Sequence, residues 1–161
     1  MNSGPTRAAL AVWRFLAVLS IALWLGGFTF HTSVTLRVGG EILGGLEQGY
    51  VTQAALGRLH WFGAAMILMS TIDAAIHWGR LGKAARGIQA ATVTVMTIAL
   101  AMLFKIHAEM SALMDADSLT RPDKGAFSPL HQQYQKFASA LWLCSLVELG
   151  AMLHAHRLRT A

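Results

Sequence analysis

Long apolar stretches alternate with short polar connections along this chain, and that rhythm is the first thing the sequence offers. One stretch covers Ala8 to about Phe30, interrupted only by Arg14. A second runs from Trp61 to Trp78 with Asp73 inside it, and a third from Ile88 to Phe104 carries no charge. The fourth runs from Phe137 to Leu153 and contains Glu148. Each is close to the roughly 20 residues that carry an α-helix across a hydrocarbon core of about 30 Å. Backbone amides find no partner in hydrocarbon, so such stretches must satisfy their hydrogen bonds internally, as helices. With a turn or two added at each end, the pattern predicts helices over about residues 8-34, 54-80, 86-113 and 130-157 of a single integral membrane domain, 1-161.

The predicted fold is therefore all-α: a four-helix transmembrane bundle, antiparallel and up-down-up-down. The first stretch has basic residues ahead of it, as a signal peptide does, but no small-x-small cleavage site follows, so it is expected to be retained. The connections differ in kind. Between Arg37 and Gln53 there are five glycines, Gly39, Gly40, Gly44, Gly45 and Gly49, which mark turns or close backbone approach. The segment Asp115 to Ser128 is a polar loop with Pro122, and Pro129 follows it. Arg80 to Arg86 is short, so the second and third helices are expected to be antiparallel neighbours.

Charge refines this picture. Hydrophobic residues make up 55% of the chain and charged ones 13%, with a formal net charge of +5. The basic residues sit at helix ends, not along one stripe, so membrane topology accounts for them and no nucleic-acid partner is expected. Arg80, Lys83 and Arg86 crowd the second connection without an acidic residue. Basic connections stay in the cytoplasm. Both termini are then cytoplasmic, and the loops around Glu47 and Asp117 lie outside. The expected location is the bacterial inner membrane, multi-pass, with the lipid bilayer as the main partner. A homo-oligomer or a larger membrane complex is compatible with the same pattern. The lone Cys144 lies in an apolar run and reads as a small buried hydrophobe.

The segments Trp24-Leu-Gly-Gly-Phe-Thr-Phe-His31-Thr-Ser-Val, Glu47-Gln-Gly-Tyr-Val-Thr-Gln53 and Phe127-Ser-Pro-Leu-His131-Gln-Gln-Tyr134 carry a resemblance. They resemble a bacterial family of small four-helix membrane proteins of unknown function, itself similar to a eukaryotic transmembrane protein associated with metallodrug resistance. The resemblance covers most of the chain. It implies a fold and a membrane location but no activity, and it points to His31, His107 and His131 as polar landmarks.

Histidine is frequent here, with seven in the chain. His31, His60, His107 and His131 come from four different helices, and alternating helix direction puts all of them at the outer face. Facing helices of a bundle are the usual frame for a metal site. Neutral imidazole suits zinc and copper, and Met110 and Met114, on one helical face with His107, would favour copper. Two of the histidines, His31 and His107 first, could instead ligate a b-type haem. The plainer alternative is four interfacial rings whose polar tips reach water or headgroups. None of the spacings is a metal motif such as HExxH.

A second group, Arg14, Asp73, His77 and Glu148, lies toward the cytoplasmic half. Charges there are costly unless paired or hydrated, so a network is expected, either an ion pair fixing helix packing or a proton or ion relay. Three function classes stay open: a metal- or haem-binding membrane protein, a small proton- or ion-coupled transporter, and an accessory or structural subunit of a larger membrane complex. Four short helices leave little room for alternating access. No nucleophile elbow is present, so a classical hydrolase is not expected, and enzymatic activity is left open.

Overall fold

A computed structural model describes residues 7–80, 82–114 and 124–160. Helix α1 (Arg7–Phe30) passes through a π-helical turn (His31–Thr35) into α2 (Leu36–Leu43). Helix α3 (Gly45–His77) follows, then a 3-10 turn (Trp78–Arg80), α4 (Lys83–Ala112) and α5 (Lys124–Thr160). Among the described residues there are 4 helical segments long and apolar enough to cross a membrane: Ala8–Leu43, Gly45–His77, Lys83–Ala112 and Gly125–Leu153.

The α1–α2 rod packs on α3, α3 on α4, α4 on α5, and α5 closes the ring against α1. Residues Ile21, Met66, Met96 and Leu141 are fully buried at the centre, with Trp24, Leu103 and Ile106 beside them. The outward faces carry Phe15, Leu23, Phe30, Trp61 and Leu143, all more than half exposed. Polar side chains, by contrast, are buried: Ser70, Asp73, Ser145 and Glu148 are at 0% exposure. Apolar surface costs about 25 cal/mol per Å² in water. A bundle that is greasy outside and polar at its axis is stable only where hydrocarbon replaces water. The pattern is that of an integral membrane protein.

The first connection departs from the sequence expectation. The glycine-rich stretch is not a loop: α2 runs to Leu43 and α3 starts at Gly45, leaving Gly44 alone to turn the chain. Gly44 adopts φ 87°, a backbone region open to glycine at little cost. Gly39 serves close approach, because a Cβ there would collide with the side-chain amide of Gln48. Glycine's weak helix propensity is thus overridden by the packing of α2 on α3. At the other end, α5 begins at Lys124, ahead of the expected 130, and takes Pro129 into its second turn. Proline there removes one amide near the helix start, where the ladder has least to lose. The remainder of the expected third connection, residues 115–123, lies outside the described residues.

Candidate functional site

The π turn sets the geometry of one end of the bundle. At its close the Leu36 amide donates to the His31 carbonyl, five residues back. Within it, the Thr32 and Ser33 hydroxyls donate to the preceding Phe28 and Thr29 carbonyls at 2.6–3.1 Å. Hydroxyls competing for these carbonyls favour a locally widened helix. Isolated π turns rotate the register of the residues that follow and occur at functional sites. Here the turn starts at His31, which is 7% exposed and has a buried Nε2 without a hydrogen-bond partner.

His31 stands on the wall of a cavity of about 690 Å³ that also takes in His107 and His131. Its lining is mostly apolar, with Phe28, Leu56, Met110 and Phe127 prominent. Polar groups interrupt that lining at Gln48, Thr52, Gln53, Tyr134 and Gln135. Gln48 donates to the Thr52 hydroxyl at 3.0 Å, and His131 lies 3.1 Å from the Gln135 amide nitrogen. Phe127 and His131 stack with centroids 6.0 Å apart. No Asp, Glu, Lys or Arg is among the described residues lining the cavity.

His60 is placed differently from the other three. It is 3% exposed, and its Nε2 lies 2.8 Å from the Tyr134 hydroxyl across the bundle axis. Its ring meets that of His107 edge-on, centroids 5.1 Å apart. His107 in turn rests on the backbone at Gly57, where a Cβ would come within 3.1 Å of its Nε2. Gly57 therefore makes the slot that admits the imidazole. His31, His107 and His131 share one cavity wall, while His60 is tied to Tyr134 behind it. Among the described residues, no three or more His, Cys, Asp or Glu side chains are arranged to hold a metal ion. The four-imidazole metal site expected from sequence is thus not supported.

A second cavity of about 390 Å³ adjoins the first, sharing Phe28, Thr32 and Ser139 as walls. It lies between α1 and α5 and ends at Leu143 and Trp142. The Trp142 Nε1 donates to the Thr29 hydroxyl at 3.1 Å across this groove.

The opposite end of the bundle holds a buried polar layer. Arg14 Nη2 donates to Asp73 Oδ2 at 3.0 Å. The His77 ring Nδ1 lies 2.9 Å from the Asp73 carbonyl and 3.2 Å from its Oδ1. The carbonyl is the directed acceptor, so Oδ1 has a ring beside it but no aligned hydrogen bond. Glu148 is within electrostatic range of both Asp73 and Arg14. It accepts from Gln89 Nε2 at 3.0 Å and meets the Thr92 hydroxyl at 2.6 Å. Gln89, Thr92, Ser70 and Ser145 were not singled out by the sequence. Gln89 and Thr92 sit three apart in a stretch without charge, and that shared helix face was the available signal. Tyr134 closes one of the motifs quoted above, but its pairing with His60 is visible only in the fold.

Between the two ends, Ser145 donates to the Leu141 carbonyl at 2.8 Å, with the Met66 and Met96 sulfurs each 3.5 Å from its oxygen. These side chains are fully buried and close the axis. No protein-family model matches the chain, and neither a curated protein nor a solved structure matches it.

Proposed function

We propose that the chain is a multi-pass protein of the bacterial inner membrane that binds a small molecule in the 690 Å³ cavity, at the outer end of an antiparallel bundle. The single observation that carries this reading is His31. A buried imidazole nitrogen without a partner costs about 1–3 kcal/mol. A chain that widens its first helix to hold such a group on a cavity wall gains that back when a ligand completes the hydrogen bond. The volume is within the roughly 300–1,000 Å³ of small-molecule sites.

The antiparallel order is supported by contacts that run oppositely along neighbouring helices. Arg14 meets Asp73, and positions 27 and 39 approach Leu59 and Gln48. Cytoplasmic termini rest on the basic density from Arg80 to Arg86. Membership of the small four-helix bacterial family is part of the same proposal and rests on the motifs around His31, Gln53 and His131.

Copper or zinc, or a b-type haem, is what the histidines first suggest. The donor set favours neither. A closed zinc site takes four ligands, whereas His60 is committed to Tyr134, and among the described residues His31, His107 and His131 are not arranged to hold an ion between them. Haem brings two propionates, and no cation is among the described lining residues. A transporter needs a route through the axis, which Met66, Met96 and Leu141 fill.

Native mass spectrometry of the protein released from mild detergent tests the reading, alongside an absorption spectrum and elemental analysis. A small-molecule adduct is expected on the parent protein and lost from His31→Ala. A parent protein without any adduct would overturn it. A stoichiometric metal or a Soret band would return the imidazoles to metal or haem ligation. A reporter fused after Ala161 tests orientation, and activity outside the cytoplasm would invert the topology.

A further inference from the structure

We infer that the cavity takes an isoprenoid quinone: an uncharged ring bearing carbonyl acceptors, carried on a long apolar tail. The inference rests on the ligand-binding reading above and narrows it to one chemical class.

Three features of the site select that class. The first is charge. With no Asp, Glu, Lys or Arg among the described lining residues, the polar groups facing the ligand are imidazole, amide and hydroxyl. Such a set recognises a neutral head, and a phosphate or carboxylate would be left without a counter-charge in a low-dielectric site. The second is shape. Phe28, Phe127 and Tyr134 line the volume, and Phe127 is already stacked on His131 there, an aromatic lining that suits a planar ring held at centroid distances of about 4.5–7 Å. The third is the exit. The adjoining 390 Å³ groove leads from the cavity between α1 and α5 to Leu143, which is 56% exposed on the lipid face. A ligand whose head fills the cavity and whose tail follows the groove reaches the bilayer without crossing the bundle. A free aqueous solute has no use for that groove.

His31 supplies the polar anchor. With its proton on Nε2 the ring donates to a quinone carbonyl. With its proton on Nδ1 the same nitrogen accepts from a quinol hydroxyl. One side chain therefore serves both forms of the ring, and no electron transfer is required of the protein for binding. The Trp142–Thr29 hydrogen bond spans the groove and marks where the tail must pass. It also places a fluorophore on the tail's path.

The test uses full-length protein in phosphatidylcholine nanodiscs, titrated with decylubiquinone while tryptophan emission is followed. Saturable quenching is expected, absent from empty nanodiscs and from discs holding an unrelated bundle. His31→Ala should weaken it about tenfold, the effect of losing one buried hydrogen bond. Ser139→Phe fills the wall shared by the two cavities, at an exposed position on α5, adds no tryptophan to the emission, and should weaken binding by at least as much without disturbing the core. Quenching that never saturates, or that is identical in parent and both variants, overturns the inference. So does a native-spectrometry adduct of a non-quinone mass, although the ligand-binding reading then survives. Absence of both quenching and any adduct defeats both.

Discussion

Removing Arg14 is the sharpest test of how this bundle is held together. Arg14 and Asp73 are buried, 9% and 0% exposed in their side chains, and joined at 3.0 Å. In Arg14→Leu the Asp73 carboxyl keeps its burial and loses the guanidinium joined to it, while the His77 ring stays beside it. Leaving one partner of a buried pair unpaired costs about 3–5 kcal/mol. Leucine adds back apolar packing on α1, which offsets roughly 1–2 kcal/mol of that loss. A net destabilisation of about 1–4 kcal/mol is expected by this difference. The matched control is Arg37→Leu. Arg37 pairs with Glu41 at 3.4 Å, but the side chains are 82% and 67% exposed. Exposed pairs contribute about 0–1 kcal/mol.

Unfolding by denaturing detergent, followed by far-UV circular dichroism or steric trapping, separates the two variants. Arg14→Leu/Asp73→Leu extends the test, since replacing both ions with apolar groups is often neutral or stabilising. The double variant should therefore recover most of the loss. Equal stability of Arg14→Leu and Arg37→Leu would refute the pairing. A double variant as unstable as the single one would show that Arg14 acts through packing and not through charge.

Other substitutions report on the remaining contacts. Tyr134→Phe strips His60 of its one directed partner, and His60 Nδ1 already lacks one, so a loss of about 1–3 kcal/mol in the same unfolding assay is expected. Gly63→Ala puts a methyl 3.0 Å from Trp24 Nε1 and 3.3 Å from Leu100 Cδ1, and overpacking of that kind costs about 1–3 kcal/mol. Gly150→Ala, with nothing within 4 Å, should instead stabilise α5 by up to about 1 kcal/mol through helix propensity. If both alanines move stability in one direction, the packing around Gly63 is not as described.

Much of the architecture was legible because hydrophobic run length is a strong signal, and the stretches from Ala8 to Leu153 set four crossings. The connections were not, because they depend on which helices touch. Gly39 resembles a loop glycine in isolation and becomes a helix glycine only when Gln48 presses on it. The π turn at His31 has no mark in the residue pattern beyond two hydroxyls, Thr32 and Ser33. For the candidate site, the sequence supplied the four histidines and pointed to His31, His107 and His131 among them, but not the wall each ring faces. Helix ends place four histidines at one depth, yet rotation about each helix axis decides which rings share a wall. That rotation sets His60 against Tyr134 and leaves His31, His107 and His131 on the cavity.

At Glu148, the supply of hydrogen-bond donors and acceptors sets what each substitution costs. Thr92 carries one hydroxyl proton and has two acceptors in range, Glu148 Oε2 at 2.6 Å and the Gln89 carbonyl at 3.0 Å. Glu148→Gln can therefore be accommodated. Its amide oxygen accepts from Gln89 Nε2, its amide nitrogen donates to Thr92, and the Thr92 proton turns to the carbonyl. Every hydrogen bond of the parent is replaced, the shape is unchanged and one carboxyl is gone, so the variant should lie within about 1 kcal/mol of the parent. Glu148→Leu also removes the charge but abandons the Gln89 amide donor, whose Oε1 already lacks a partner. Desolvating that amide without compensation should cost about 1–3 kcal/mol. The difference between glutamine and leucine thus isolates hydrogen bonding from charge. If glutamine is as damaging as leucine, the carboxylate charge itself is what the layer requires, through its coupling to Arg14 and Asp73. The satisfied-donor account of this end of the bundle would then be wrong.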